Sequence, residues 1–315
     1  MKKKLLILLA APLMFGSLVG CSGAKADFKV GVIQWVSHPA LDKATNGFKQ
    51  GIKEALNKVS KTVDIEIKNA AADASAASTI ANTFISKGKN LIMANATPAV
   101  QVAANSTSTI PVVGTSVTSY EVAFGGNIPS HVTGTSDLAP LNKQAEELLT
   151  WYPDANSVGI FYCASEANSA YQAETIGGDL KALKPSLTVR EVTFTDSNDI
   201  QQVLSGCVSN FDVLYVPTDN ACADNAELIH TICSQARRPV YAGEESICAA
   251  CGFATLSIDY FKLGKITGEM AAQILMGTLP GELPIRYDED VRKLYNPTIV
   301  AELGITTIPE GYTAI

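Results

Sequence analysis

Phe28-Lys29-Val30-Gly31-Val32-Ile33-Gln34 opens one series of short β-rich segments, and Ser157-Val158-Gly159-Ile160-Phe161-Tyr162 opens a second of the same kind. Each is a brief apolar run between polar stretches, the pattern of a buried strand. Behind the first run, residues 39–59 are amphipathic with a proline at the start, which predicts a helix. Working outward, Val63–Asn69 predicts a strand, 75–86 a helix and 90–94 a buried strand. Thr97-Pro98 marks the opening of a further helix, and 110–114 closes the set with a strand. Strands alternating with helices require crossover connections and hence a parallel sheet.

The second series repeats the plan. A helix is predicted over 168–183, a strand over Thr188–Phe194 and a short helix over 199–204. A strand over 211–216, a helix over 220–236 and a strand over 239–242 complete it. Two α/β halves with the same architecture and no shared repeat indicate two Rossmann-like lobes, each on a parallel sheet. The remaining segments, 259–277, 283–287 and 296–303, are too short for a third domain and are read as crossing back to finish both lobes. That assigns 28–138 with about 257–287 to lobe 1, and 139–256 with about 288–315 to lobe 2. One continuous large sheet is the competing arrangement.

Composition agrees with a well-packed globular body: 315 residues, 47% hydrophobic and 17% charged. A formal charge of −7 offers no basic surface for nucleic acid. The N-terminus is basic over 1–4 and apolar over 5–19, shorter than a membrane span. It ends in Leu18-Val19-Gly20-Cys21, which resembles a bacterial lipobox. The resemblance implies a signal peptide over 1–20, cleavage before Cys21, a lipid on its sulfur and a short tether over 21–27. Acyl chains contribute about 0.8 kcal/mol per buried methylene, so such a Cys21 would hold the protein on the outer face of the cell membrane. An ordinary secretory signal is the alternative.

In open parallel sheets ligands bind beyond the carboxyl ends of the strands. The loops there (34–38, 95–97, 115–120, 165–169, 218–220 and 243–246) are dense in Ser, Thr, Asn and Asp. Several lead directly into helices, whose free N–H groups favour a carboxylate. Gln34-Trp35-Val36-Ser37-His38-Pro39-Ala40-Leu41-Asp42, followed by Gly47-Phe48, is similar to the opening motif of a family of ABC-transporter substrate-binding proteins. Further matches follow in order: Ala96-Thr97-Pro98-Ala99, Thr133-Gly134-Thr135-Ser136-Asp137, Glu166-Ala167-Asn168-Ser169, Val216-Pro217-Thr218-Asp219-Asn220, and Ser257-Ile258-Asp259-Tyr260 with Leu263-Gly264. The resemblance covers the chain after the leader and implies the type I periplasmic-binding fold, with three hinge crossings and a ligand between the lobes. It also implies a monomer that passes a small solute to ABC permease subunits, with aromatic amino acids as the ligands of the better-known members. A sensor of the same fold, or a nucleoside or sugar ligand, is the alternative.

Carried over residue by residue, the resemblance places Thr97, Pro98, Ser136, Asp137, Asn168, Ser169, Asp219 and Asn220 at the cleft. Ser116, in the neighbouring polar loop, joins them. A zwitterion needs an anion site and a cation site. Thr97, Ser136 and Ser169 offer hydroxyls, and Asp137 or Asp219 accepts charge-assisted bonds from an ammonium. Trp35 is a candidate to stack on an aromatic ligand, and Tyr120 a candidate second wall. Set against this, Thr97 and Asp219 read equally as helix caps, Trp35 as lobe core, and His38 as a residue that shapes the loop before Pro39. The chain departs from the family at Ser119-Tyr120 and at Cys163, both expected to border the cleft, which leaves ligand identity open.

Cys163, Cys207, Cys222, Cys233, Cys248 and Cys251 all fall in the second half, and their spacing does not choose among disulfides, a metal site and free thiols. No His-Glu-x-x-His, Gly-x-Ser-x-Gly or phosphate-loop string occurs, so the reading is a binding protein, with neither enzyme activity nor a cofactor.

Overall fold

The computed structural model describes residues 25–315. The leader and the lipidation site Cys21 lie outside the described residues. Among the described residues no helix is long and apolar enough to cross a membrane.

The first sheet is built from β1 (Phe28–Gln34), β2 (Val63–Asn69), β3 (Leu91–Asn95), β4 (Val112–Val117) and β5 (Val132–Ser136). They are linked through α1 (Pro39–Asn57), α2 (Ala74–Ser86), α3 (Thr97–Ser106) and the single turn α4 (Tyr120–Ala123). The second sheet takes β6 (Ser157–Cys163), β7 (Thr188–Phe194), β8 (Val213–Val216), β9 (Val240–Ala242) and β10 (Ala254–Ser257). Its helices are α5 (Leu141–Trp151), α6 (Ala167–Leu183), α7 (Ile200–Cys207), α8 (Asn220–Asp224), α9 (Ala226–Gln235) and α10 (Glu245–Ala250). The chain then returns. Helix α11 (Tyr260–Leu275) packs on α1, and β11 (Arg286–Tyr287) adds to β5 in the first sheet. β12 (Arg292–Tyr295) runs antiparallel to β10, α12 (Pro297–Glu302) follows, and β13 (Thr313–Ala314) ends the chain.

The orders are β11-β5-β4-β3-β1-β2 and β13-β12-β10-β9-β8-β6-β7. These are two separate sheets, so the single continuous sheet is excluded. The chain crosses between them three times: after β5, after β10 and after β11. All pairings in the first sheet are parallel. Both faces are covered, which is why β1 is apolar on successive residues. Val30 and Val32 meet Phe48, Ile52 and Met270, while Ile33 on the other face meets Phe84 and Ile92.

The differences from the sequence reading are local. β5 was not anticipated, because Val132-Thr133-Gly134-Thr135-Ser136 lacks an apolar run. The helix expected over 220–236 is broken at Asn225, where φ −116° and ψ 21° part α8 from α9. α10 was also unforeseen: it covers Glu245–Ala250, around Cys248, and its N-cap is a glutamate, Glu244.

All the cysteines in the second lobe are free thiols. Among the described residues no group of His, Cys, Asp and Glu is placed to hold a metal. Burial pushes the Cys222, Cys248 and Cys251 thiols far up, so these are inert packing groups.

Gly47 and Gly264, which flagged two of the motifs, mark where α1 and α11 touch through bare backbone. A Cβ on Gly264 would stand 2.0 Å from the Ala44 carbonyl oxygen, and one on Gly47 would stand 2.0 Å from that of Phe261. Backbone cannot give way as a side-chain tip can, so Gly264→Ala must force the helices apart. Overpacking of this kind costs about 1–3 kcal/mol. The melting temperature of the empty protein is expected to drop by several degrees; an unchanged melt would mean the seam is loose.

Candidate ligand site

The loops beyond the strand ends converge where the two lobes face each other. From the first lobe come His38 at the cap of α1, Leu41, Ser116 at the end of β4 and Thr118, with Asp137 just past β5. The second lobe supplies Asn168 at the start of α6, Thr218, Asp219 and Asn220 after β8, and Glu244 after β9. Tyr260, the first residue of α11, closes the ring at the hinge. With the lobes in contact the cavity is only about 10 Å³, far below the roughly 300–1,000 Å³ usual for small-ligand sites, so a ligand needs the lobes to part to enter.

Three carboxylates line this space, no lysine or arginine does, and Glu166 lies just behind. Two of the lining three are used up by the fold. Asp219 caps α8, accepting from the Cys222 N–H at 2.7 Å, and also accepts from the Cys163 N–H at 2.8 Å. Glu244 caps α10 through the Ser246 and Ile247 N–H groups, each at 2.6 Å. Glu166 accepts from the N–H groups of Asn220 (3.2 Å) and Ala221 (3.0 Å) and from the side-chain amides of Asn220 (2.6 Å) and Asn168 (3.1 Å). Burial, and then the charge on Asp219, push the Glu166 carboxyl up.

Asp137 differs. Its partners across the site are hydroxyls: Tyr260 donates at 2.9 Å and Thr118 at 3.1 Å. Burial raises its pKa from 3.8 to about 6, with the two hydroxyls pulling the other way and the Glu244 charge adding to the rise. An anion enclosed with no cation is the ground for a charge-assisted bond to an ammonium.

The site also carries polar atoms that are buried with no partner: His38 Nδ1, Ser116 Oγ and Asn168 Oδ1. Native proteins satisfy such atoms, so a cluster of them around one cavity marks where a ligand belongs. The backbone beside them is strained. Ser116 has φ 55° and Ala96, before Thr97, has φ 89°, angles uncommon for non-glycine residues and enriched at functional sites.

Of the residues expected from sequence, Ser116, Asp137, Asn168, Asp219 and Asn220 come together on the cavity wall. The others do not line it. Trp35 packs into the core of the first lobe with Ile33 and Phe84. Tyr120 is 1% exposed, and its hydroxyl donates to the Thr135 carbonyl at 3.4 Å. Ser136 donates to the Thr118 carbonyl at 2.8 Å, and Ser169 accepts from Asn168 at 3.1 Å. Thr97 and Pro98 open α3. The departures Ser119-Tyr120 and Cys163 also fall off the lining: Ser119 caps α4, and Cys163 ends β6 beside Ser165 and Asp219.

Sequence reasoning missed His38, Thr118, Thr218, Glu244 and Tyr260. Each stands within a few residues of a strand end. The available signal was position rather than residue type.

The lobes touch across the cleft. Gln172 on α6 donates to Thr118 Oγ1 at 3.1 Å, His38 Nε2 meets Asn220 Oδ1 at 3.3 Å, and Lys43 pairs with Glu245 at 3.1 Å.

Known proteins sharing this arrangement were found at three levels. The family model described as ABC transporter substrate binding protein matches residues 29–311. A tyrosine-binding protein of Clostridioides difficile is 33% identical over 96% of this chain and 93% of its own length. The ABC domain from Streptococcus pneumoniae in complex with L-Trp is 31% identical, with a TM-score of 0.85 over 91% of this chain and 99% of that one. The ligand-free, open structure of CD0873, a substrate-binding protein with adhesive properties from Clostridium difficile, is 34% identical and covers the same shares, yet scores 0.67. At equal sequence similarity the better match is the complex, in keeping with lobes that meet.

Proposed function

The chain belongs to the ABC transporter substrate-binding protein family, and from that premise we propose that it captures an aromatic amino acid between its lobes and delivers it to ABC permease subunits. The observation that carries the reading is the enclosed, cation-free cleft around Asp137 with unpartnered polar atoms beside it. An α-ammonium answers Asp137. The α-carboxylate answers Ser116 Oγ and the polar rim. An uncharged sugar or nucleoside would leave the Asp137 charge uncompensated, which disfavours that reading. The tyrosine and tryptophan ligands in the names of the two relatives support an aromatic side chain.

The lipobox-like Leu18-Val19-Gly20-Cys21 supports an extracytoplasmic monomer held to the membrane at Cys21. The lobes are taken as 28–138 with 257–287 and 139–256 with 288–315, with closure about the three crossings.

A thermal-shift screen over the amino acids, sugars and nucleosides tests this. A ligand at a hundred times its Kd adds about 2.7 kcal/mol, a rise of roughly 5–10 °C for a protein of this size. Tyrosine or tryptophan should give it. A shift with a sugar or nucleoside and with no amino acid would defeat the proposal.

A further inference from the structure

Resting on the aromatic-ligand reading, we propose that His38 selects ligands carrying a hydrogen-bond donor on the ring: a phenol O–H or an indole N–H, and not a bare phenyl. His38 sits at the N-cap of α1, a position that favours Ser, Asn or Asp, yet its side chain makes no capping bond. The ring instead faces the cavity at 7% exposure, with Nε2 3.3 Å from Asn220 Oδ1 and Nδ1 buried without a partner.

Three links set what Nδ1 can do. Glu166 receives four N–H donors, so its oxygens act as acceptors. The Asn220 amide therefore points its NH₂ at Glu166 and its oxygen at His38. An amide oxygen only accepts, so Nε2 carries a proton, and in the neutral ring Nδ1 is then a bare acceptor. The ligand ammonium goes to the Asp137 carboxylate, which outcompetes a neutral imidazole for a cation. The remaining donor of a tyrosine or tryptophan is on its ring. Phenylalanine has none and would leave Nδ1 buried and unpaired.

Calorimetry on the protein with tyrosine, tryptophan, phenylalanine and 1-methyltryptophan tests the assignment. An unpaired buried acceptor corresponds to a loss of about tenfold to a hundredfold in affinity. Phenylalanine and 1-methyltryptophan should therefore bind that much more weakly than their partners. In His38→Leu, tyrosine and tryptophan should fall to the phenylalanine level while phenylalanine itself changes little. Equal binding of tyrosine and phenylalanine to the unaltered protein overturns the role of His38 and leaves the aromatic-ligand reading standing, as does discrimination that survives in His38→Leu. Failure of every aromatic amino acid to bind overturns both. The ligand series on the unaltered protein decides the matter even where the variant does not fold.

Discussion

Asparagine at position 137 will leave the protein folded but unable to hold its ligand. The Asp137 carboxylate accepts the Tyr260 and Thr118 hydroxyls. An asparagine amide offers an oxygen to one and an NH₂ to the other, and a hydroxyl can rotate to accept, so the polar network keeps its partners. What disappears is the charge. Removing one member of a buried charged pair typically weakens binding by about 2–5 kcal/mol, roughly one and a half to three and a half orders of magnitude in Kd. The empty protein should respond in the opposite sense. A rise from 3.8 to about 6 means the ionised form of Asp137 is disfavoured by the fold, by roughly 3 kcal/mol. Asp137→Asn should therefore melt at the same temperature as the parent or higher at pH 7.5, while calorimetry finds no measurable uptake of tyrosine or tryptophan. A variant that binds as before would place the ammonium elsewhere. One that melts far lower would make Asp137 a structural group.

The two-lobed architecture could be read from the chain because the buried strand β1 is an apolar run and the half-exposed edge strands β2 and β7 alternate apolar with polar residues; all three were bounded to the residue. β5 could not. Its Thr133 and Thr135 hydroxyls bond to the Leu283 carbonyl and to Thr115 and Thr267, contacts made 20 to 150 residues away in sequence. The same limit governed the site. Trp35 and Tyr120 had the right residue type and lie in the right loops, but whether an aromatic side chain turns to the cleft or to the core is decided by its neighbours. Gly114 and Gly134 leave the space that the Tyr120 hydroxyl occupies, and that space draws the ring inward. His38 was set aside as a loop-shaping residue, because its value comes from Asn220, which is far away in sequence and close in space. Asp219 was legible both as a cap and as a ligand group. The cap is what its two oxygens are engaged in.

Binding will release a proton near pH 6 and none near pH 8. The pKa of Asp137 is raised in the closed, empty protein, so between about pH 4 and pH 6 the folded form holds more protons than the unfolded chain. Stability must fall as pH rises through that window, and the penalty persists above it. Glu166, pushed up by burial and by the Asp219 charge, acts in the same direction. A ligand ammonium reverses the balance at Asp137: an opposite charge within bonding distance favours the carboxylate and returns its pKa below the working range. At pH 6 about half of the empty protein carries the Asp137 proton, and binding must expel it. At pH 8 there is none to expel. Calorimetry in two buffers of different ionisation enthalpy should give enthalpies that diverge at pH 6 and converge at pH 8. Affinity should decline below pH 6 by up to about tenfold per pH unit. Because His38 faces the same cavity, the assignment rests on a variant that still binds: the buffer dependence should persist in His38→Leu, and its loss there would assign the proton to His38 instead. Enthalpies that agree between buffers at pH 6 would mean that Asp137 is ionised before the ligand arrives, and that the empty cleft is open enough for water to solvate it.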